Sequence, residues 1–230
     1  HFQYAGRRGN EWVLSQCGPG SDQSHSPSQK LSIYNNIEKR YILILAKENR
    51  TFMGIGEKGA RGFWDKMADG YARRPIADEE AYQHKLRLTQ AFLMPNMDVL
   101  ELGCGTGGTA LEHAPFVRHI RATDISDEML RHARQRAQSA GVENVAFEQA
   151  DLEGLSIAPE SYDVVLAMNL LHLTEDPLAE MKRIHQWLKP GGIFVQSTGL
   201  VGHMNPLLRL ALPVARLLGK APFVNSFTED

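Results

Sequence analysis

The chain has 230 residues, 43% of them hydrophobic, and a formal net charge of −2. That is enough apolar material for one sizeable core with a small appended part, and too little positive charge for the basic footprint of a nucleic-acid binder. Its two cysteines, Cys17 and Cys104, lie in unlike contexts and make no disulfide framework, which points to a reducing, cytoplasmic setting.

Residues 1–52 differ in character from the rest of the chain. The stretch SQCGPGSDQSHSPSQK is rich in Ser, Gly, Pro and Gln and cannot bury enough apolar surface to offset its ordering entropy. IEKRYILILAKENRTF has the apolar content of a strand or a short helix but no partner nearby. Its run YILILA is too short to span a bilayer and lacks the flanks of a signal peptide. Met53 then opens a segment that reads as a protein start, so residues 1–52 are expected to be a disordered or non-native extension. Residues 53–96 read as a helical cap on the substrate side. Within it Tyr82, Leu86, Thr89 and Leu93 recur on one helical face until Pro95 and Asn96 stop the helix.

From residue 97 strands and helices alternate. MDVLEL, HIRATD, NVAFEQAD, SYDVVLAMN and GIFVQST read as five strands. SDEMLRHARQRAQSAG is a helix with Ser126 at its cap, acidic residues in its first turn and Gly141 just past its end. DPLAEMKRIHQWLKPGG is another, capped by Asp176, with Leu178, Met181, Ile184 and Leu188 as its apolar stripe. Strands separated by helices imply βαβ units, hence an α/β domain with a doubly wound parallel sheet over residues 97–230.

Between the first strand and its helix stands VLELGCGTGGTA, residues 99–110. Gly103, Gly105 and Gly108 fit the dinucleotide fingerprint G-x-G-x-x-G. Gly103, Gly105 and Gly107, with Glu101 just ahead, fit a second nucleoside-binding turn equally well. Asp124, at the end of the second strand, has the spacing of a carboxylate that accepts both ribose hydroxyls, and this too serves either pattern. A nicotinamide dehydrogenase, however, has an apolar residue where Glu101 stands and no counterpart to the later segments.

Five segments in order and at the right spacing, VLELGCGTG, ATDISDEML, FEQADLEGL, YDVVLAMNLLHL and LKPGGIFV, cover residues 97–198. Together they resemble the class I S-adenosylmethionine (SAM)-dependent methyltransferases of the broad small-molecule group. The resemblance implies a Rossmann-like sheet, SAM as cofactor and transfer of its methyl group to a small-molecule acceptor. The backbone of Gly103, Cys104 and Gly105, continued by Thr106 and Gly107, would pass the amino-acid moiety of SAM, with Glu101 helping to fix it. Asp124 would take the ribose hydroxyls, Ile125 and Met129 would pack on the adenine, and Asp151 would accept from the adenine amino group beside the Leu152 backbone. Asn169 would line the methionine end.

His172, three residues after Asn169, is the candidate catalytic base, and His203 is a second. Trp64 and Tyr71 are candidates for the substrate side, together with an apolar acceptor-side insert at 199–226. Neither H-x-x-x-H nor C-x-x-C metal spacing occurs. The Asn/Asp-Pro-Pro-aromatic quartet of nucleic-acid base methyltransferases is absent, NLLH standing in its place, so no DNA acceptor is expected. At the C-terminal end PFVNSFTED reads as the start of a further helix. The last antiparallel strands of that fold are therefore expected to be lacking, which would leave one sheet edge open. The alternatives to a small-molecule methyltransferase are a truncated SAM-binding protein without activity and a methyltransferase acting on RNA or protein.

Overall fold

The computed structural model describes residues 57–199 and four strands before them, with side chains described over 59–197. In chain order the elements are β1 (Gln3–Arg8), β2 (Glu11–Ser15), β3 (Lys30–Asn35), β4 (Arg40–Ala46), α1 (Glu57–Arg73), α2 (Glu79–Gln90) and β5 (Asp98–Leu102). There follow α3 (Gly108–His113), β6 (His119–Asp124), α4 (Asp127–Ala140), β7 (Val145–Gln149), β8 (Tyr162–Met168), α5 (Pro177–Trp187) and β9 (Leu188–Gly199).

The strands form one sheet in the order β1-β2-β3-β4-β9-β8-β5-β6-β7. From β4 to β7 every neighbouring pair is parallel, as strands joined through helices require. The chain runs outward from β5 through β6 to β7, then returns to the other side of β5 for β8 and β9. The reversal between β5 and β8 is the topological switch point, where ligands of open α/β sheets sit.

Strand alternation sorts the core into two layers. Val99, Ile120, Ala122, Val164, Leu166, Ile193 and Val195 point to one face, against Leu88 of α2, Ala110 of α3 and Leu130 of α4. Leu100, Leu102, Val165, Ala167 and Phe194 point to the other, against Leu155, Leu171, and Ile184 and Trp187 of α5. Because both faces are covered, β8 is apolar at successive positions rather than alternating.

The caps form as their sequences require. Ser126 Oγ accepts from the Met129 N–H at 3.1 Å and Asp176 Oδ1 from the Ala179 N–H at 2.9 Å. Gly141 ends α4 in the left-handed region at φ 64°. One detail of the predicted stripe on α5 is corrected. Leu178 is 61% exposed and Leu188 already belongs to β9, so the buried face of α5 rests on Ile184 and Trp187.

The N-terminal region also differs from expectation. The disorder expected of residues 1–52 does not extend to β1–β4, and YILILA lies entirely within β4. β4 pairs in parallel with β9 from Arg40↔Ile193 to Ala46↔Gly199, so that side of β9 is covered. A strand whose partner lies so far along the chain cannot be found by local reading, because its pairing depends on closing a long loop. The Ser/Gly/Pro/Gln-rich stretch 16–29 lies outside the described residues, as do His203 and the proposed insert at 199–226 beyond Gly199.

His113, the last residue of α3, is fully buried, and neither ring nitrogen has a hydrogen-bond partner among the described residues. Burial pushes its pKa from 6.5 down to about 4. A depressed pKa means that the unfolded chain binds the proton more tightly, so stability is present above pH 6.5 and is lost as pH falls toward 4. Thermal unfolding between pH 7 and pH 4 should show this loss, on the order of 3 kcal/mol from this group. His113→Leu, which removes the titration and the two orphaned nitrogens, should lose correspondingly less.

Candidate functional site

The chemistry gathers at the carboxyl ends of β5, β6, β7 and β8. β5 leads into a turn over residues 103–107, whose Cys104 N–H donates to the Thr123 carbonyl at 2.9 Å. That bond carries the β5–β6 ladder two residues beyond the end of β5. Gly103 has φ +65°, and a Cβ there would lie 2.8 Å from Leu170 Cδ1. Gly107 has φ +77°, and a Cβ there would lie 2.8 Å from Ala133 Cβ and 3.2 Å from the Phe147 ring. At both positions only glycine combines the left-handed backbone with the close approach. Gly108, by contrast, already lies in α3, and a Cβ there meets only the Tyr82 hydroxyl at 3.4 Å, an ordinary contact. The glycines of this turn with a left-handed backbone are therefore 103, 105 and 107, and Gly108 is not among them.

Asp124, at the end of β6, orders this turn. Its Oδ2 accepts from the Gly105 N–H at 2.8 Å and its Oδ1 from the Ser126 N–H at 2.9 Å. Each oxygen keeps a further acceptor site, so the carboxylate is aimed and can still accept two hydroxyls. Burial raises its pKa, and the two backbone N–H donors oppose the rise.

Glu101, also on β5, is 2% exposed, and its Oε2 is buried without a hydrogen-bond partner. Burial, and secondarily the charge of Asp124, push its pKa up to about 8. An orphaned acceptor of this kind beside a ligand turn fits a ligand that brings its own donor or positive charge. Cys104 is buried and unpaired, and burial holds its thiol well above the ordinary value. It is packing rather than a nucleophile.

The other expected positions lie around this centre. Asp151 is exposed, and its Oδ1 accepts from the Glu153 N–H at 3.3 Å, closing a turn after β7. Leu152 and Ile125 are half-buried, and Met129 is 2% exposed on α4. Asn169, just past β8, has φ 56°, unusual for a residue other than glycine. β9 holds it there: its N–H donates to the Ser197 carbonyl at 2.8 Å, and its Oδ1 accepts from Ser197 Oγ at 3.2 Å. His172 is buried in the short 3₁₀ turn Leu171–Leu173, and Thr106 is buried in the glycine turn.

α1 joins the site from outside the sheet. Its Asp65 accepts from Ser126 Oγ at 2.7 Å, one residue past Ile125. Arg136 of α4 donates to Thr106 Oγ1 and to the Ala72 carbonyl, both at 2.9 Å, tying the end of α1 to the glycine turn. On α1, Trp64 packs edge-on against Phe63 with ring centroids 5.2 Å apart, and Tyr71 is exposed. Asp65 and Arg136 are contributors that sequence reasoning misses. Nothing in their local pattern sets them apart from other polar helix residues.

An open cleft of about 990 Å³ lies between α1, α2, α3 and α4, lined by Arg73, Gln90, Glu112, Phe116 and Arg136 among others. None of Gly103, Asp124, Asp151 or Asn169 lines it, so strand-end chemistry and not cavity size assigns the site. Among the described residues no group of three or more His, Cys, Asp or Glu side chains could hold a metal ion.

Residues 99–192 match a family described as a methyltransferase domain. The matched domain is similar to the class I SAM-dependent methyltransferases. The cofactor of that class is SAM, and the site fits it: a glycine turn that admits a close backbone approach, an aimed carboxylate at Asp124, and a buried acceptor at Glu101. Over 108 residues the chain is 34% identical to an uncharacterized methyltransferase, YcgJ, of Bacillus subtilis, covering 47% of this chain and 41% of that protein. Over 128 residues it is 31% identical to a ubiquinone biosynthesis O-methyltransferase of Ruegeria pomeroyi, covering 56% of this chain and 50% of the other. The chain thus spans half or less of these two relatives. Among solved structures, a DhpI–SAH complex aligns with a TM-score of 0.52 at 26% identity, over 60% of this chain and 68% of that one.

The raised pKa of Glu101 has a sign that stability measurements can read. A carboxyl whose folded pKa, about 8, exceeds its ordinary value of 4.5 binds its proton more tightly when folded. Its contribution is therefore complete below pH 4.5 and is lost as pH rises through 8. Between pH 6 and pH 9 the ligand-free protein should lose about 2–3 kcal/mol from this group. Thermal denaturation of Glu101→Gln, which keeps the shape without the titration, should show a flatter profile over the same interval.

Proposed function

We propose that the domain binds SAM across the β5–β8 switch point and moves its methyl group to a small-molecule acceptor. The observation that carries the reading is the double use of Asp124. One carboxylate fixes the glycine turn through Gly105 and the start of α4 through Ser126, and it still presents acceptor sites for a ribose. When bound, SAM supplies a methyl group already activated on sulfur, so the transfer is an in-line displacement. What remains for the protein is to orient the two reactants and exclude water.

In this reading each residue has a limited task. Gly103, Cys104, Gly105, Thr106 and Gly107 offer backbone to the amino-acid end of the cofactor, and Glu101 accepts from its ammonium group. Ile125 and Met129 flank the adenine, Asp151 accepts from its amino group, and Leu152 contributes backbone. Asn169, held by Ser197, borders the methionine end. His172, three residues after Asn169, is the candidate base where the acceptor must lose a proton. Trp64 and Tyr71 on α1, and His203 beyond the described residues, belong to the acceptor side.

A small-molecule acceptor is supported by the likeness to the ubiquinone biosynthesis O-methyltransferase. It is also supported by 28–33% identity to short parts of fungal polyketide synthases and a PKS–NRPS, such as trichosetin synthetase. No described helix is long and apolar enough to cross a membrane, and the unpaired Cys104 suits a reducing compartment such as the cytoplasm.

Calorimetric titration with S-adenosylhomocysteine (SAH) tests the reading. The chain should bind SAH saturably and NAD not at all, and Asp124→Ala should weaken SAH binding by about 100-fold, as expected for a lost pair of charge-assisted hydrogen bonds. A folded chain that ignores SAH, or an Asp124→Ala variant that binds as the parent does, would sink it.

A further inference from the structure

The loop after β7 carries Asp151 and Leu152, yet few of its internal contacts explain its shape. Asp151 Oδ1 and the Glu153 N–H close one turn at 3.3 Å, and the Leu155 N–H reaches the Leu152 carbonyl at only 3.4 Å. The loop is held from outside. Arg183 of α5 sends Nη1 to the Leu152 carbonyl and Nη2 to the Leu155 carbonyl, each at 2.8 Å. The guanidinium is itself fixed on two sides. Glu180 accepts from Nη1 at 3.0 and 3.2 Å and is 6% exposed. The ring of Trp187, also buried, lies 5.1 Å beneath the guanidinium carbon.

Each part of this arrangement has a physical reason. Two carbonyls three residues apart, both turned toward α5, need two N–H groups in a fixed plane, which a guanidinium offers and an ammonium does not. A carboxylate as buried as Glu180 is costly unless paired, and its pairing with Arg183 opposes the rise that burial imposes on its pKa. Glu180, Arg183 and Trp187 follow one another at spacings of three and four on one helix face, while Leu155 closes the contact by entering the core layer under α5.

We propose that Arg183 is a positioning residue: by clamping the Leu152 and Leu155 carbonyls it sets the loop in the shape that aims Asp151 at the amino group of the adenine. It touches no ligand, and its effect falls on the adenine end of the cofactor alone. This rests on the reading of the site as a SAM site, with Asp151 as the adenine acceptor.

The test compares binding of SAH with binding of S-inosyl-L-homocysteine, which carries a carbonyl in place of the adenine amino group. It uses the full chain, with folding of each variant checked by circular dichroism. The parent protein should prefer SAH by about tenfold, the discrimination expected when a charged acceptor loses its donor. Arg183→Lys should bind SAH about tenfold more weakly, bind the inosyl analogue almost unchanged, and so lose most of the preference. Glu180→Gln, which leaves the arginine but loosens it, should fall between the two and decides the matter if Arg183→Lys does not fold. Asp124→Ala should weaken both ligands alike and keep the preference.

A merely structural role for Arg183 would weaken both ligands equally, and that result overturns the proposal. So does a parent protein that binds SAH without preferring it, in which case the SAM reading stands and the adenine clamp does not. A parent protein that binds neither ligand removes the SAM reading and this proposal with it.

Discussion

The site depends on one carboxylate. Asp124 stands where β6 ends, and its two oxygens accept N–H groups from the turn after β5 and from the start of α4. That pair of bonds joins three pieces of chain that converge at the switch point, adding to the β5–β6 ladder, its extension at Cys104 and the Arg136–Thr106 bond. With it, the glycine turn, the strand end and the helix cap move as one unit. Ser126 extends the unit outward, since its hydroxyl caps α4 through Met129 and reaches Asp65 on α1. The glycine turn and the docking of the α1 cap are thereby joined through two consecutive links.

Against this ordered framework the buried Glu101 is the costly element. A carboxyl with an unpartnered oxygen in the interior, beside a second carboxylate, is unfavourable in the ligand-free fold. Such local destabilisation belongs to a binding site rather than to a core. Among the described residues the other carboxyl of similar burial, Glu180, is paired with Arg183, and burial pushes the pKa of His113 at the end of α3 down.

Helices on both faces of the sheet hold loops at its carboxyl end. On one face α4 brings Arg136 to Thr106 and to the end of α1. On the other α5 brings Arg183 to the carbonyls of Leu152 and Leu155. In both cases a long guanidinium reaches backbone that has no regular partner. That is a common need where loops must hold one shape at the end of a sheet.

Much of this could be read from the chain directly. The five strands of residues 97–199, the caps at Ser126, Asp176 and Gly141, and the cofactor class were legible, because hydrophobic period, capping chemistry and a glycine turn act over a few residues. What sets Gly107 apart from Gly108 was not, since it lies in a left-handed backbone and in the surroundings: Ala133 and Phe147 crowd the first, and Tyr82 merely touches the second. The partner of β4, the burial of Glu101, the exposure of Leu178 and the grip of Arg183 on its loop were equally hidden. Each depends on groups brought together from distant parts of the chain, so each is decided by how the layers pack, while the sequence by itself determined the local elements and the chemistry carried at their ends.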